Sequence, residues 1–131
     1  AAEIYEAMLR DFFEYRDREL TFDLVLLGLG EDGHTASLFP EDRPHEQTDE
    51  ATWVRRTRAP ERHQPRERVT LTLSVLGTAW DVFFLVAGAN KREAFDRVTQ
   101  EEDPELPATH VRPRRRLVWL VDQAANPSGI V

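Results

Sequence analysis

The amino-acid sequence predicts an α/β fold built on a mostly parallel sheet, and three observations carry that expectation. Leu24-Val25-Leu26-Leu27, Val82 to Val86 and Leu117 to Val121 read as strands. The first two lack polar alternation, as expected of strands covered on both faces. Helical patterns lie between the strands, so the two element types alternate along the chain. The first strand runs into a glycine turn, Gly28-Leu29-Gly30-Glu31-Asp32-Gly33-His34, at the strand end where open α/β sheets place their ligands.

Taken in order, Ile4, Met8 and Phe12, with Tyr5, Leu9 and Phe13, recur at four-residue spacing and predict an amphipathic helix over roughly the first fifteen residues. Arg16 to Thr21 connects it to the first strand, which begins near Phe22. After the glycine turn a short helix is expected to start near His34 or Thr35 and to stop at Pro40. Charge and proline dominate Glu41 to Glu67, which reads as a long surface loop with one short strand over Ala51 to Arg58. Val69-Thr70-Leu71-Thr72-Leu73 alternates as a half-buried strand, and Ser74 suits the N-cap of a helix through Leu76 to Trp80. Beyond Val86, Asn90 and Glu93 have capping-box spacing at the start of a helix that buries Ala94, Phe95 and Val98. Leu106 to Val111 is extended and broken by prolines, and Asp122 to Ala125 begins a turn. No internal repeat or interdomain linker interrupts the chain, so residues 1–131 are expected to form one α/β unit.

Composition narrows the functional classes. A net charge of −7 argues against nonspecific nucleic-acid binding, despite Arg55-Arg56-Thr57-Arg58 and Arg114-Arg115-Arg116. The absence of cysteine rules out disulfides and thiolate metal sites and fits a reducing compartment, so cytoplasm is the expected location. No apolar run reaches the ~20 residues of a membrane helix, and the first residues lack the basic-then-apolar order of a signal peptide. Lys91 is the single lysine among 17 basic residues, a position suited to a compact ammonium.

His34 is the natural candidate for a general base, because imidazole titrates nearest neutrality. Asp32, two residues earlier, can hold one ring nitrogen so that the other faces a water. Amides at a helix start would favour the neutral ring, whereas Asp32 would favour the charged one. The same pattern also suits a plain tight turn, with Asp32 as a cap and His34 as an ordinary polar residue. A dinucleotide site fits less well, since Asp32 lies where a pyrophosphate would approach and no clear acid follows a second strand at the required distance. His34, His45, His63 and His110 show no metal-ligand spacing, and nothing resembles a serine nucleophile elbow. Ser37 suits a helix-surface hydroxyl. Lys91 suits an anionic group or a solvated surface, and Arg68, at a strand start, is equally open.

Three separated segments resemble the 6-phosphogluconolactonase family: FDLVLLGLGEDGHTASLFP from Phe22, RVTLTLSVLGTAWDVFFLVAGANKREAF from Arg68 and LPATHVRPRRRLVWLVDQAA from Leu106. The resemblance implies a Rossmann-like three-layer sandwich of the sugar-phosphate isomerase type. It also implies hydrolysis of 6-phospho-D-glucono-1,5-lactone in the pentose phosphate pathway, without metal or organic cofactor. On it, His34 is the catalytic base, with Asp32 beside it. Gly30, Gly33, Arg68 and Lys91 fall at substrate-binding positions that hold the 6-phosphate or shape the pocket. The implied partner is a phosphosugar lactone, with neither nucleic acid nor membrane, and the whole enzyme is expected to be monomeric. Glucosamine-6-phosphate deaminase shares the Gly-x-Gly-x-Asp-Gly-His element but carries a glutamate five residues after the histidine, where this chain has Phe39. A sugar-phosphate binding module without turnover is the remaining alternative. Members of the family run to roughly twice this length, and their Ser/Gly-rich phosphate turn and Asp-Glu-Arg segment have no counterpart here. The chain is therefore read as the C-terminal part of such a domain. Arg114-Arg115-Arg116 stands at a turn where relatives usually carry a small residue.

Overall fold

The computed structural model describes residues 1–129. Helix α1 (Ala2–Tyr15) is followed by strand β1 (Leu24–Gly28), β2 (Val54–Arg58), β3 (Glu67–Leu71), the short helix α2 (Leu73–Leu76), β4 (Asp81–Val86), α3 (Arg92–Thr99) and β5 (Arg116–Val121). Strands β1, β4 and β5 form a parallel sheet in the order β1-β4-β5, and β2 and β3 form a separate antiparallel hairpin.

Parallel register places Leu27, Phe84 and Trp119 in one row across the sheet. Phe84 is fully buried and stacks on Trp119 with ring centroids 4.2 Å apart. From α3, Phe95 meets the same tryptophan edge-on at 5.4 Å, and Ala94 and Val98 are buried beside it, as their helical spacing predicts. Helix α3 begins one residue later than the capping-box reading placed it, after a 3₁₀ turn over Ala89–Lys91. Asn90 does not cap it, because its side-chain amide donates to Glu31 Oε1 at 2.6 Å and so ties together the loops after β4 and β1.

The opposite face of the sheet departs from the expectation of strands covered on both sides. Leu24, Leu26, Leu85 and Leu120 are each about half exposed (49%, 58%, 50% and 49%), so two of the three expected layers are present among the described residues. Helix α1 forms where its periodicity places it, yet Phe13 is its one buried residue, and Ile4 and Met8 stand in solvent. Polar anchors set its position instead. Glu6 Oε1 accepts the Trp53 and Val54 amides, and Arg10 lies 4.0 Å over the Trp53 ring while donating to Ala51 O.

Three local expectations are corrected. Residues 31–39 form turns rather than a helix, with Ala36 in the left-handed region at φ 50°. The reason is tertiary: burial of Thr35, Leu38 and Phe39 overrides helical propensity in so short a segment. Helix α2 is capped at Thr72, not Ser74, and ends at Leu76. The Glu41 to Glu67 stretch contains β2 as expected, but its last residues close a hairpin rather than wander over the surface, with the Ala59 amide donating to Arg66 O at 2.7 Å. Leu106 to Val111 includes a 3₁₀ turn over Pro107–His110.

Candidate active site

The loop after β1 is folded around its own histidine. The Gly30 amide donates to His34 O at 2.9 Å, and the Gly33 amide donates to Gly30 O at 3.0 Å. Gly33 has φ 81°, a conformation that glycine alone adopts without a Cβ penalty. At Gly30 the constraint is space: a Cβ there would lie 2.1 Å from His34 Nδ1. Thr35, buried, donates through Oγ1 to Gly28 O at 2.8 Å and so closes the loop onto the strand.

The hairpin is docked against this loop by two bonds. The Ser37 amide donates to Thr70 Oγ1 at 3.1 Å, and Thr57 Oγ1 donates to Ser37 O at 3.0 Å. Ser37 is thereby buried, not the helix-surface hydroxyl the sequence suggested. Docking carries the hairpin tip, with Arg62 and His63, over the glycine turn.

Asp32 is the hub. Its Oδ1 lies 2.5 Å from His34 Nδ1 and accepts the His34 amide at 3.0 Å. Its Oδ2 accepts from Arg62 Nη2 at 2.5 Å and lies 3.1 Å from His63 Nε2. Burial alone would raise the Asp32 carboxyl, but the His34 ring, Arg62, the His34 amide and His63 outweigh it and hold the group well below the ordinary carboxylate range. An ionised carboxylate accepts and never donates, so both ring nitrogens facing it carry hydrogen. In its neutral form His34 is therefore the Nδ1–H tautomer, with Nε2 as the accepting nitrogen. Without a helix at residue 34, the fixed charge beside the ring is the carboxylate, and the expected helix-start amides play no part.

Phe39, fully buried, lies beneath the His34 ring with centroids 4.8 Å apart, so this neighbour is apolar. The ring is 19% exposed and lines a cavity of about 320 Å³ with Gly28, Gly30, Thr35, Ala36 and Lys91. The fold thus brings His34, Asp32, Gly30 and Lys91 together, and among the described residues Lys91 makes no ion pair. Gly33 shapes the turn from outside that cavity, packed on Leu106. Arg68 does not line the cavity either, and its Nε donates to Pro65 O.

Sequence reasoning missed Arg62 and His63. Donor atoms of Asp32, His34 and His63 lie within 4.8 Å of one another, a grouping that spacing along the chain does not disclose. No local pattern marks this pair in a charged, proline-rich stretch; the one available signal was the possibility that β2 and β3 pair and lift the segment between them.

Comparison with known proteins places this geometry in context. The family model described as glucosamine-6-phosphate isomerases/6-phosphogluconolactonase matches residues 1–119. The chain is 44% identical over 128 residues to the 6-phosphogluconolactonase of Homo sapiens and 40% identical over 128 residues to that of Synechocystis sp., covering 95% of this chain in each case. It spans about half the length of these curated relatives, 48% and 51% respectively. Among solved structures, 6-phosphogluconolactonase from Trypanosoma brucei superposes with a TM-score of 0.83 at 28% identity, covering 98% of this chain and 52% of the other. A monomeric glucosamine-6-phosphate deaminase shares the fold, with a TM-score of 0.62 at 19% identity.

Proposed function

Because the chain belongs to the glucosamine-6-phosphate isomerase/6-phosphogluconolactonase family, we propose that it supplies the catalytic base of a 6-phosphogluconolactonase, which hydrolyses 6-phospho-D-glucono-1,5-lactone to 6-phosphogluconate. The observation that carries this reading is the His34 ring, tethered to Asp32 through Nδ1 and facing a cavity shared with Lys91.

In the proposed reaction a water in that cavity gives a proton to His34 Nε2 as its oxygen attacks the lactone carbonyl. The tetrahedral intermediate collapses by breaking the bond between the carbonyl carbon and the ring oxygen. The imidazolium returns its proton to that oxygen, leaving a free carboxylic acid and a hydroxyl. Asp32 stays ionised throughout, fixing the ring and offsetting the transient charge. Lys91, which makes no ion pair among the described residues, is available for the substrate phosphate, and Gly30 leaves room for the ring that shapes the pocket. Arg68 reaches the substrate only by giving up its bond to Pro65. The chemistry uses these side chains and water, and residues 1–131 act in it as one α/β unit. No helix among the described residues is long and apolar enough to cross a membrane, and a cytoplasmic location accords with the chemistry.

A deaminase reading is disfavoured by Phe39, which occupies the position of a proton-transferring glutamate and cannot move protons. The test is the rate of lactone hydrolysis against the spontaneous rate, with the chain alone and with a protein of its relatives' length. The expected result is acceleration, abolished by His34→Ala and unchanged by His45→Ala, since His45 stacks on His110. No acceleration at either length overturns the reading. Ammonia release from glucosamine 6-phosphate would favour the deaminase, and 6-phosphogluconate binding without turnover would favour a binding module.

A further inference from the structure

We propose that His63 is a positioning residue for the His34 base, an inference that rests on the function proposed above but is read from different atoms. Its Nε2 lies 3.1 Å from Asp32 Oδ2, on the opposite oxygen from the one that meets His34 Nδ1. One carboxylate thus joins two imidazoles. The rings also touch, edge to face, with centroids 4.7 Å apart, and both lean on Phe39, at 4.8 Å from His34 and 5.4 Å from His63.

This arrangement restricts the carboxylate's rotation. Asp32 sits on a turn, and both bonds from His34, one from its ring and one from its amide, fall on Oδ1, which leaves Oδ2 to swing about a terminal torsion with a broad and shallow profile. A donor on Oδ2 pins the plane and thereby aims Oδ1 at Nδ1. Arg62 also donates to Oδ2, through Nε at 3.2 Å and Nη2 at 2.5 Å, but its Nη2 is shared with Glu41 Oε1 at 2.6 Å and the side chain is 45% exposed. His63 is 26% exposed, on a shorter side chain with fewer torsions, and its amide is fixed to Pro60 O at 2.9 Å by a turn. Of the two donors, the histidine is the less mobile. The charged and titratable groups facing His63 are Asp32, His34 and, through Asp32, Arg62 with its partner Glu41. Protonation of His63 would place a second cation against the edge of the His34 ring.

The experiment compares wild type, His63→Ala, His63→Gln and Arg62→Gln by two readouts. Nitrogen-15 correlation spectra of the histidine rings report the His34 tautomer and need no activity. Lactone hydrolysis as a function of pH reports kcat and KM separately. In His63→Ala the Nδ1–H form of His34 loses its dominance, and kcat falls about tenfold with KM little changed, the size expected for one lost hydrogen bond to a charged group. The acid limb of the kcat profile also moves. Glutamine, which can donate from a comparable position, restores the tautomer and most of kcat but not the wild-type pH profile. The proposal is overturned if His63→Ala keeps the wild-type tautomer and kcat while Arg62→Gln loses both, which would assign the positioning to the arginine. It is equally overturned if His63→Gln behaves like His63→Ala although circular dichroism reports both folded. If no variant or wild type hydrolyses lactone, yet the tautomer still follows residue 63, the functional reading fails and the positioning role stands.

Discussion

Replacing Gly30 with alanine separates the fold of the turn from the placement of its ring. The added Cβ falls 2.1 Å from His34 Nδ1, 2.3 Å from its Cε1 and 2.7 Å from Asp32 Oδ1. Nonbonded heavy atoms settle near ~3.5 Å, so the ring must retreat by about 1 Å or more. That retreat breaks the 2.5 Å approach of Nδ1 to the carboxylate. The backbone does not resist, since the glycines with positive φ among the described residues are Gly33, Gly88 and Gly129. Glycine to alanine in ordinary dihedrals gains about 0.4–1 kcal/mol from the unfolded state, enough to offset a modest side-chain displacement. The expected outcome is a protein whose melting temperature is close to that of wild type but whose lactone hydrolysis falls about 100-fold, the effect of a misplacement near 1 Å at a reacting group. Differential scanning calorimetry and the hydrolysis assay measure the two effects separately. Activity within about twofold of wild type would refute the claim that the ring's position governs the chemistry. Unfolding of the variant would refute the claim that only the ring has to move.

Three further outcomes follow from the packing and the charges. Phe84→Ala removes a fully buried ring stacked on Trp119 and should cost about 3–5 kcal/mol in denaturant unfolding, with a loss under about 1 kcal/mol contradicting its place in the core. Asp81, buried at 5% exposure, accepts two bonds from Arg115 and one from Arg116, and these arginines hold its carboxyl below the ordinary range. A depressed folded-state value means that its stabilisation is complete above the unfolded value near ~4 and is lost as pH falls; Asp81→Asn should therefore lower stability at neutral pH, with the gap to wild type closing in acid, and a gap independent of pH would exclude this origin. The bare leucines of the sheet predict self-association of the 131-residue chain above its 15.2 kDa monomer mass in light scattering, relieved by Leu26→Lys with Leu120→Lys, whereas a monomeric wild type would contradict it.

Local chemistry made most of the fold legible, and the exceptions share a cause. The runs at Leu24, Val82 and Leu117 are strands because short, almost wholly apolar stretches lie between charged or glycine punctuation, a signal that needs no distant partner. Ala94, Phe95 and Val98 disclosed the buried side of α3 by spacing alone. The short helix expected after His34 failed because Ser37, in the middle of it, is fixed by bonds with Thr57 and Thr70, 20 and 33 residues away. Asn90 failed as a cap for the same reason, drawn to Glu31 across the sheet end. Helical periodicity predicts α1 as an amphipathic helix, and the helix forms there with Phe13 buried, since periodicity records which face is apolar and not whether anything covers it. At the site, His34, Asp32 and Lys91 were legible because strand ends carry ligands in α/β sheets. Arg62 and His63 were not, because their role depends on a hairpin docking that leaves no trace in their neighbours.

That difference in legibility follows a division of labour within the site. The proposed base and its carboxylate come from one turn, fixed to β1 by Thr35 and to itself by the Gly30 and Gly33 amides. The second pair of donors comes from a hairpin outside the parallel sheet. Asp32 is the atom-scale junction of the two, one oxygen facing each way, and its depressed titration is the electrostatic record of that junction. A carboxylate with donors from one side only would be held less firmly and ionise less readily. Held well below the ordinary carboxylate range, Asp32 stays charged at neutral pH. On the positioning proposed for His63, a substitution at the hairpin tip changes how firmly the proposed base is held while leaving the separate parallel sheet in place.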